Sequence, residues 1–307
     1  MTIDEFEPPH ALTTAVLFLV FNRLDTTKQV FEAIRQAKPP RLYVAADGAR
    51  ASKEGEAQKV QDVREFVLQN IDWDCEVKTL FRDENLGCKY AVSGAITWFF
   101  ENEEQGIILE DDCLPSQSFF WFCEELLEKY KSDTRIGQIS GFNYGFGVPV
   151  NDTDYFFSKY GFIWGWATWR RAWNLYDIKM KKFPEITALD TCDLFFGSNK
   201  CSQIENFRKV YSNEMDTWDY QWSYSRFINL AYTIVPKDNL IENIGFGDDA
   251  THTFGDNPYN DVSRKEVNIA DLKHPEYFLQ FKDFYAIHEK KSSILRSFFR
   301  KVKYAFR

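Results

Sequence analysis

The chain has 307 residues, of which 44% are hydrophobic, and this is enough for one large α/β domain. A net charge of −9 excludes the basic face of a typical nucleic-acid-binding protein, so we expect no nucleic-acid partner. The first apolar run, 15–21, is too short to span a bilayer and follows an acidic segment unlike a signal peptide, so we expect a cytoplasmic protein.

Residues 1–115 alternate strand and helix patterns. Apolar runs predict strands over 15–21, 41–46, 76–81 and 106–109. Helical spacing predicts a first helix capped by Asp25 or Thr26, a second over about 54–70, and a third over 87–100. This order predicts a mostly parallel sheet with helices on both faces.

Charged and polar side chains follow each predicted strand, at the edge where ligands bind in such sheets. They are Asn22 and Arg23 after the first strand, Asp47 after the second, Arg82 after the third, and Glu110, Asp111 and Asp112 after the fourth. Cations and acids gathered at one edge suit a diphosphate with a metal ion. No G-x-G-x-x-G motif follows the first strand and the sequence contains no P-loop motif, which argues against a dinucleotide or P-loop site.

The acidic triplet 110–112 is the strongest candidate for a metal site. Three adjacent carboxylates at the end of a buried strand repel one another, and Mg²⁺ or Mn²⁺ would relieve that repulsion and offset charge on a leaving diphosphate. Two other D-x-D matches, 72–74 and 152–154, follow no apolar strand of the parallel set. The alternative is a solvated acidic turn that caps the helix after Pro115.

Beyond residue 115 the alternation fades and aromatic residues accumulate, with long loops predicted around 143–160, 187–200 and 243–268. We interpret 1–115 as the half that carries the ligand-binding edge and 116–285 as a less regular, substrate-shaping half of the same domain. Residues 286–307 form a basic amphipathic tail. Two interpretations of the tail stay open: peripheral contact with the inner face of the membrane, or packing on the domain.

Six segments, taken in order, resemble metal-dependent GT-A-fold glycosyltransferases. The resemblance is to bacterial sugar transferases of surface-polysaccharide assembly and, more distantly, to the animal N-acetylglucosaminyltransferase that initiates complex N-glycans. The matching segments are 16–23, 85–99, 106–120, 161–173, 216–222 and 243–253. The resemblance implies a Rossmann-like GT-A sheet flanked by helices and an inverting transfer from a nucleotide-sugar donor, most often a UDP-sugar, to a carbohydrate or glycolipid acceptor. It further implies nucleotide-sugar binding for residues 1–115 and acceptor binding for residues 116–285.

The resemblance also implies roles for the polar residues at the strand ends. Asp112 would bind the metal, Glu110 and Asp111 would contact the sugar and ribose of the donor, and Asp47 would contact the base. The residues implied to lie near the nucleotide are Asn22, Arg23, Arg82 and Asn85.

Segment 243–253 corresponds to a loop that closes over the donor in the resembling enzymes. Gly247 and Asp249 are therefore candidate lid residues, and His252 is a candidate second metal ligand. An ordinary solvated turn with an unliganded histidine is the alternative.

Four tryptophans crowd the ten residues from 164 to 173. Packing in the core is the default for each ring. The glycines at 161 and 165 suggest close backbone approach next to the donor, and Trp164 and Trp166 are the candidates for an acceptor wall.

The candidate catalytic base lies in segment 216–222, DTWDYQW. Inverting transfer needs a carboxylate that deprotonates the acceptor hydroxyl, and neighbouring aromatic rings raise the pKa of such a group. The resembling enzymes carry their base in a Trp-Asp-Asp-Trp segment, from which this chain departs, so Asp219 is the first choice and Asp216 the second. The alternative is a helix start capped by Asp216, with Trp218 and Trp222 in the core.

Two other functions compete with glycosyl transfer. A sugar-phosphate nucleotidyltransferase shares the sheet architecture but needs a glycine-rich loop after the first strand, and residues 21–25 contain no glycine. A non-catalytic carbohydrate-binding protein would use the aromatic residues but would not need the acidic triplet.

Overall fold

The computed structural model describes residues 6–143, 152–188, 200–245 and 262–278. The strands are β1 (Val16–Val20), β2 (Arg41–Ala46), β3 (Glu76–Phe81), β4 (Gln105–Glu110), β5 (Cys113–Pro115), β6 (Ile136–Ser140), β7 (Tyr155–Ser158), β8 (Trp166–Trp169), β9 (Tyr232–Pro236) and β10 (Ile241–Asn243). The helices are α1 (Leu24–Ala37), α2 (Glu56–Gln69), α3 (Gly87–Asn102), α4 (Ser118–Lys129), α5 (Arg170–Trp173), α6 (Phe183–Ala188), α7 (Lys200–Tyr211) and α8 (Asp219–Ile228).

Eight strands form one sheet in the order β3-β2-β1-β4-β8-β6-β9-β7. The four strands predicted from the first 115 residues are parallel neighbours, and β8 then pairs antiparallel with β4. Strands β6 and β9 are parallel to each other, whereas β7 and β8 are antiparallel to their partners. The predicted α/β architecture with a mostly parallel sheet flanked by helices is confirmed, and the second half of the chain extends that same sheet.

Strand β1 is buried along its whole length because its two faces belong to two hydrophobic cores. Val16, Phe18 and Val20 pack in one core with α1, α2 and α4. Leu17 and Leu19 pack in the other core with α3, α5 and α8. A strand enclosed in this way can carry polar groups only at its tips, so the candidate functional residues gather at one edge of the sheet.

Two local predictions were wrong. Helix α1 begins at Leu24, so Asp25 and Thr26 lie inside its first turn and neither caps it. The Thr27 hydroxyl instead donates to the Arg23 carbonyl at 2.6 Å, one turn earlier. Strand β7 lies inside the segment predicted as a loop over 143–160, because its apolar residues complete the far edge of the sheet beside β9.

Segment 262–278 packs back against the sheet with only one short 3-10 helix, Ile269–Asp271. The Glu266 carboxylate accepts hydrogen bonds from the Gln117 and Ser118 backbone N–H groups at 2.9 and 2.7 Å, at the start of α4. Glu266 therefore caps the start of α4. The alternative interpretation had assigned that role to an acidic turn at 110–112.

The cysteines whose side chains are described, Cys75, Cys88, Cys113 and Cys123, are free thiols. Within these ranges no helix has both the length and the apolar character that crossing a bilayer requires. The predicted tail over 286–307 lies outside the described residues, and its membrane contact stays a prediction.

Candidate active site

The carboxyl ends of the parallel strands open into a cavity of about 1270 Å³. Strand pairing places Glu110 at the tip of β4 directly beside Leu19 of β1. Residues from both halves of the chain line the cavity, since Trp164, Asp216 and Asp219 face the same space as the strand tips. One cavity thus joins the predicted nucleotide edge to the segment predicted to supply the base.

Most of the predicted site residues come together in this cavity. The cavity-lining members are Asn22, Arg23, Asp47, Arg82, Asn85, Glu110, Asp111, Asp112, Trp164, Asp216 and Asp219. Trp166 does not belong to them, because its side chain is fully buried in the core. Gly247, Asp249 and His252 lie outside the described residues, so their roles stay predictions.

The acidic triplet is not a solvated turn. Asp111 is only 4% exposed, and among the described residues its Oδ2 and the Glu110 Oε1 are buried without a hydrogen-bond partner. Burial, together with repulsion from Asp112, Asp111 and Asp219, raises the pKa of Glu110 well above its usual range. Burial likewise raises the pKa of Asp111 to about 6, against the attraction of Arg23. Unpartnered carboxylate oxygens in this position favour a bound cation.

Arg23 is the cation that contacts the triplet directly. Its Nη2 donates to Asp111 Oδ1 and, at 2.8 Å, to Asp112 Oδ2. Burial lowers the pKa of Arg23, but attraction to Asp111 and Asp112 outweighs burial and the pKa is raised. The guanidinium therefore stays charged and neutralises part of the triplet.

Two carboxylates from distant segments meet at the start of α3. Asp47 accepts from the Leu86 and Gly87 backbone N–H groups at 3.0–3.1 Å. Asp216 accepts from the Lys89 N–H at 3.3 Å, and a Cβ on Gly87 would lie 2.9 Å from Asp216 Oδ2. Free N–H groups at a helix start attract negative charge, so this helix positions both acids at the rim of the cavity.

Arg82 stands at the end of β3 and has a different environment from Arg23. It lines the cavity, and no hydrogen bond of its guanidinium to another described residue is found. Burial lowers its pKa, although the charge of Asp47 opposes this. Arg82 is therefore a cation available to an anionic or carbonyl group of a ligand.

Two other predicted nucleotide contacts are tied into the protein itself. Asn22 Nδ2 donates to Glu56 Oε1 at 2.9 Å, and Asn85 Nδ2 donates to the Gly48 carbonyl at 2.8 Å. These bonds hold the loops after β1, β2 and β3 in place. Each amide carbonyl oxygen of the two side chains is left for other contacts.

Asp219 is the first residue of α8 and accepts a hydrogen bond from the Thr217 hydroxyl. Its negative charge contributes to the raised pKa of Glu110, and both carboxylates line the cavity. Trp218 and Trp222 pack into the core, as the alternative interpretation of this segment predicted. Asp216 does not cap α8, since its carboxylate is bound to the start of α3.

The core beside Asp219 is aromatic. Trp166 stacks on Trp218 with ring centroids 5.8 Å apart, and Trp222 lies 5.2 Å from Trp173. Of the four tryptophans in the 164–173 cluster, only Trp164 lines the cavity. Trp166 and Trp173 therefore pack behind the wall that carries Asp219, whereas Trp169 belongs to the other core.

The fit of a divalent cation depends on the donor set. No group of three His, Cys, Asp or Glu side chains close enough to enclose a metal ion occurs in the described ranges. Mg²⁺, however, usually keeps several waters and is held by one or two carboxylates together with substrate phosphates. Asp112 and the unpartnered Glu110 Oε1 match that smaller requirement.

Sequence reasoning missed several cavity-lining residues. They are Arg50, Lys53, Lys59, Cys88, Met215, Thr217, Tyr220, Asn243 and Gly245. For Arg50 and the two lysines a signal was present, because they follow β2 at the same carboxyl edge that selected Asp47. All the others except Met215 lie in segments 85–99, 216–222 and 243–253, where the resemblance indicated the region but not these residues.

No protein-family model matches the sequence, and no curated protein matches it. Among solved structures, the chain is similar to HddC from Yersinia pseudotuberculosis, with 12% identity over 42% of this chain and 57% of that chain and a TM-score of 0.28. It is also similar to the galactosyltransferase LgtC in complex with donor and acceptor sugar analogs (12% identity, 69% and 70% covered, TM-score 0.35). A third is S. aureus TarS 1–349 (9% identity, 75% and 59% covered, TM-score 0.39). The chain thus spans a little over half the length of HddC and of this TarS chain, and similarities this distant identify no family.

Replacing Glu110 tests whether repulsion within the buried triplet lowers the free energy of unfolding. The raised pKa values of Glu110 and Asp111 mean that the folded protein holds protons that the unfolded chain has released. The contribution of both groups to stability therefore falls as pH rises above their ordinary pKa values of about 4, in the case of Asp111 through about 6. We expect E110Q, measured by urea denaturation with a chelator, to exceed the wild type by roughly 1–2 kcal/mol at about pH 8 and by less at about pH 5.

The control for this measurement is E84Q, which changes an exposed carboxyl in the loop after β3. E84Q should leave the free energy of unfolding unchanged at both pH values. An E110Q variant that is no more stable than the wild type at the higher pH would contradict the buried, repelling triplet.

Proposed function

We propose that this chain is a metal-dependent inverting glycosyltransferase that moves a sugar from a nucleotide donor, with UDP as the nucleotide, to a carbohydrate or lipid-linked carbohydrate acceptor in surface-polysaccharide synthesis. The observation that carries the proposal is the single cavity that both the acidic triplet and Asp219 line. A transferase needs a group that stabilises the leaving diphosphate and a base for the acceptor within one such space.

The donor end of the cavity is the edge formed by β1, β2 and β3. All five lining cations belong to this end, namely Arg23, Arg50, Lys53, Lys59 and Arg82. The phosphates of a nucleoside diphosphate are negatively charged, and a group of cations of this kind would attract them. Asp47 lies at the same end, where it would accept from the N–H of a uracil base.

The triplet is the proposed metal end of the donor site. Asp112 and Glu110 would hold Mn²⁺ or Mg²⁺, with His252 as a further proposed ligand. A bound cation of this kind supplies Lewis-acid stabilisation of the charge on the leaving diphosphate. Asp111, held by Arg23, would orient the donor's ribose and sugar.

Asp219 is the proposed general base. The acceptor hydroxyl gives its proton to the Asp219 carboxylate while its oxygen forms a bond to the anomeric carbon, on the face opposite the diphosphate. The bond from that carbon to the diphosphate oxygen breaks in the same displacement, which inverts the configuration. The Thr217 hydroxyl donates to Asp219 Oδ1, which helps to fix the orientation of this carboxylate.

The charge of the acceptor end favours an uncharged acceptor. Among the described lining residues from 163 to 245 there is no lysine or arginine, whereas Asp216 and Asp219 are both present. An acceptor with a carboxylate or phosphate near its reacting hydroxyl would be repelled by these acids and by the triplet. A neutral sugar meets Trp164 and Tyr220 without this repulsion, and aromatic rings pack well on the C–H face of a pyranose.

The competing functions explain less of the cavity. A sugar-phosphate nucleotidyltransferase has no use for a further carboxylate, Asp219, in the same cavity as the triplet, and the loop after β1 lacks glycine. A non-catalytic carbohydrate-binding protein gains nothing from buried carboxylate oxygens without partners, which destabilise the fold.

Ligand-induced stabilisation tests the donor site. UDP together with Mn²⁺ should raise the melting temperature of the wild type by several degrees, and either alone should raise it much less, because binding to the folded state stabilises it. D112N should lose both the combined shift and turnover, whereas E84Q should keep them. Full stabilisation of D112N by UDP and Mn²⁺ would remove the metal assignment.

Separate replacement of the two candidate bases tests the mechanism. D219N should lower kcat by at least about a hundredfold while the Kd for UDP with Mn²⁺ changes by less than about threefold. D216N should mainly lower the melting temperature, because its carboxylate binds the start of α3. If D216N abolishes turnover and D219N does not, the base is Asp216.

Matched acceptor pairs test the charge of the acceptor end. Aryl glucosides and galactosides are compared with the corresponding glucuronides and galacturonides, which differ only by a carboxylate at carbon six. We expect transfer to the better neutral member to exceed that to its uronide by at least about tenfold, owing to repulsion from Asp216 and Asp219. Equal or faster transfer to the uronides would contradict the uncharged-acceptor assignment.

A further inference from the structure

Arg23 and the proposed metal ion need the same oxygen atom. The Arg23 Nη2 atom donates to Asp112 Oδ2 at 2.8 Å and to Asp111 Oδ1. The other Asp112 oxygen, Oδ1, accepts a hydrogen bond from the Cys113 thiol at 3.4 Å. Both oxygens of the carboxylate proposed as metal ligand are therefore already engaged.

Gly245 closes the space around this ion pair. A Cβ on Gly245 would lie well inside contact distance of Asp112 Oδ2 and 2.9 Å from Arg23 Nη1. The preceding backbone is fixed, since the Ile244 N–H donates to the Asp112 carbonyl at 2.8 Å and Asn243 pairs with Cys113 across β10 and β5. With protein on one side and the guanidinium on the other, a cation reaches Asp112 Oδ2 only if Arg23 moves.

From these contacts we infer that Arg23 is a resident counter-ion that competes with the divalent cation for Asp112, so that the cation binds tightly only together with the nucleotide diphosphate. The inference rests on the proposed function and adds how that site controls its own loading. Arg23 is a positioning residue here, because it acts through Asp112.

The charges make the two binding events dependent on each other. Arg23 and a divalent ion would both have to contact Asp112 Oδ2, and the repulsion between the two cations disfavours this arrangement. A diphosphate brings negative charge to the same place and offers Arg23 new acceptors, which frees Asp112 Oδ2. Because coupling between two ligands is reciprocal, the cation must strengthen nucleotide binding by the same factor.

Arg82 provides a matched control within the same cavity. It is an arginine that lines the cavity at the end of β3, two strands from β4 in the order β3-β2-β1-β4. None of its described contacts is with the triplet. Removing its charge changes the overall charge of the cavity as R23Q does but leaves the Arg23–Asp112 pair intact.

The test measures Mn²⁺ binding by the loss of the free-ion EPR signal, with and without saturating UDP. We expect the wild type to bind Mn²⁺ at least about tenfold more tightly with UDP. R23Q should bind Mn²⁺ alone at least about fivefold more tightly than the wild type and lose most of the UDP effect. R82Q should bind Mn²⁺ alone no more tightly than the wild type.

The outcomes separate this inference from the proposed function. If the wild type binds Mn²⁺ with UDP and R23Q binds Mn²⁺ alone no more tightly than R82Q does, the inference fails and the metal-dependent function stands. If the wild type binds no Mn²⁺ under either condition, both fail. Should R23Q not fold, R23K replaces it, since one ammonium cannot reproduce the guanidinium geometry; an Mn²⁺ affinity equal to that of the wild type then overturns the inference.

Discussion

The arrangement of three carboxylates at the tip of β4 is the constraint on which the rest of the cavity depends. Both faces of the neighbouring β1 are packed in hydrophobic cores, so no charge can reach the triplet through the sheet. Compensating groups must come from the loops at the same edge, and Arg23, directly after β1, is the nearest. Arg23 neutralises only part of the triplet. The remaining negative charge is what would attract the proposed cation to the donor site.

The start of α3 joins the two halves of the chain into one site. Asp47 from the first half and Asp216 from the second both accept hydrogen bonds from backbone N–H groups there. Asp219, three residues after Asp216, lines the same cavity as the triplet. The hydrogen bonds that stabilise the start of α3 are thus also part of the site proposed for catalysis. This is common where a catalytic group must be held in a fixed position.

Local sequence patterns correctly predicted some strands but left the role of the tryptophan cluster undecided. Strands β2 and β3 have the predicted bounds, 41–46 and 76–81. The apolar run of β2 reports its burial without reference to its partner, whereas β3 is an edge strand with no buried residue. The cluster of tryptophans over 164–173 did not indicate its own role, because an apolar ring suits a buried core as well as a sugar-binding wall. Packing resolved the ambiguity, with Trp166 in the core and Trp164 at the cavity.

The sequence by itself determined the parallel strands, the edge at which their polar ends meet, and the acidic triplet as the distinctive group at that edge, since each is written in a few consecutive residues. Only the tertiary structure decided which groups partner the acids: Arg23 for the triplet, 88 residues from Asp111, the start of α3 for Asp216, 127 residues from Lys89, and Glu266 for α4, 149 residues from Gln117. Such pairs are chosen by the geometry of packed elements, and no periodicity or spacing along the chain encodes a contact between residues so far apart.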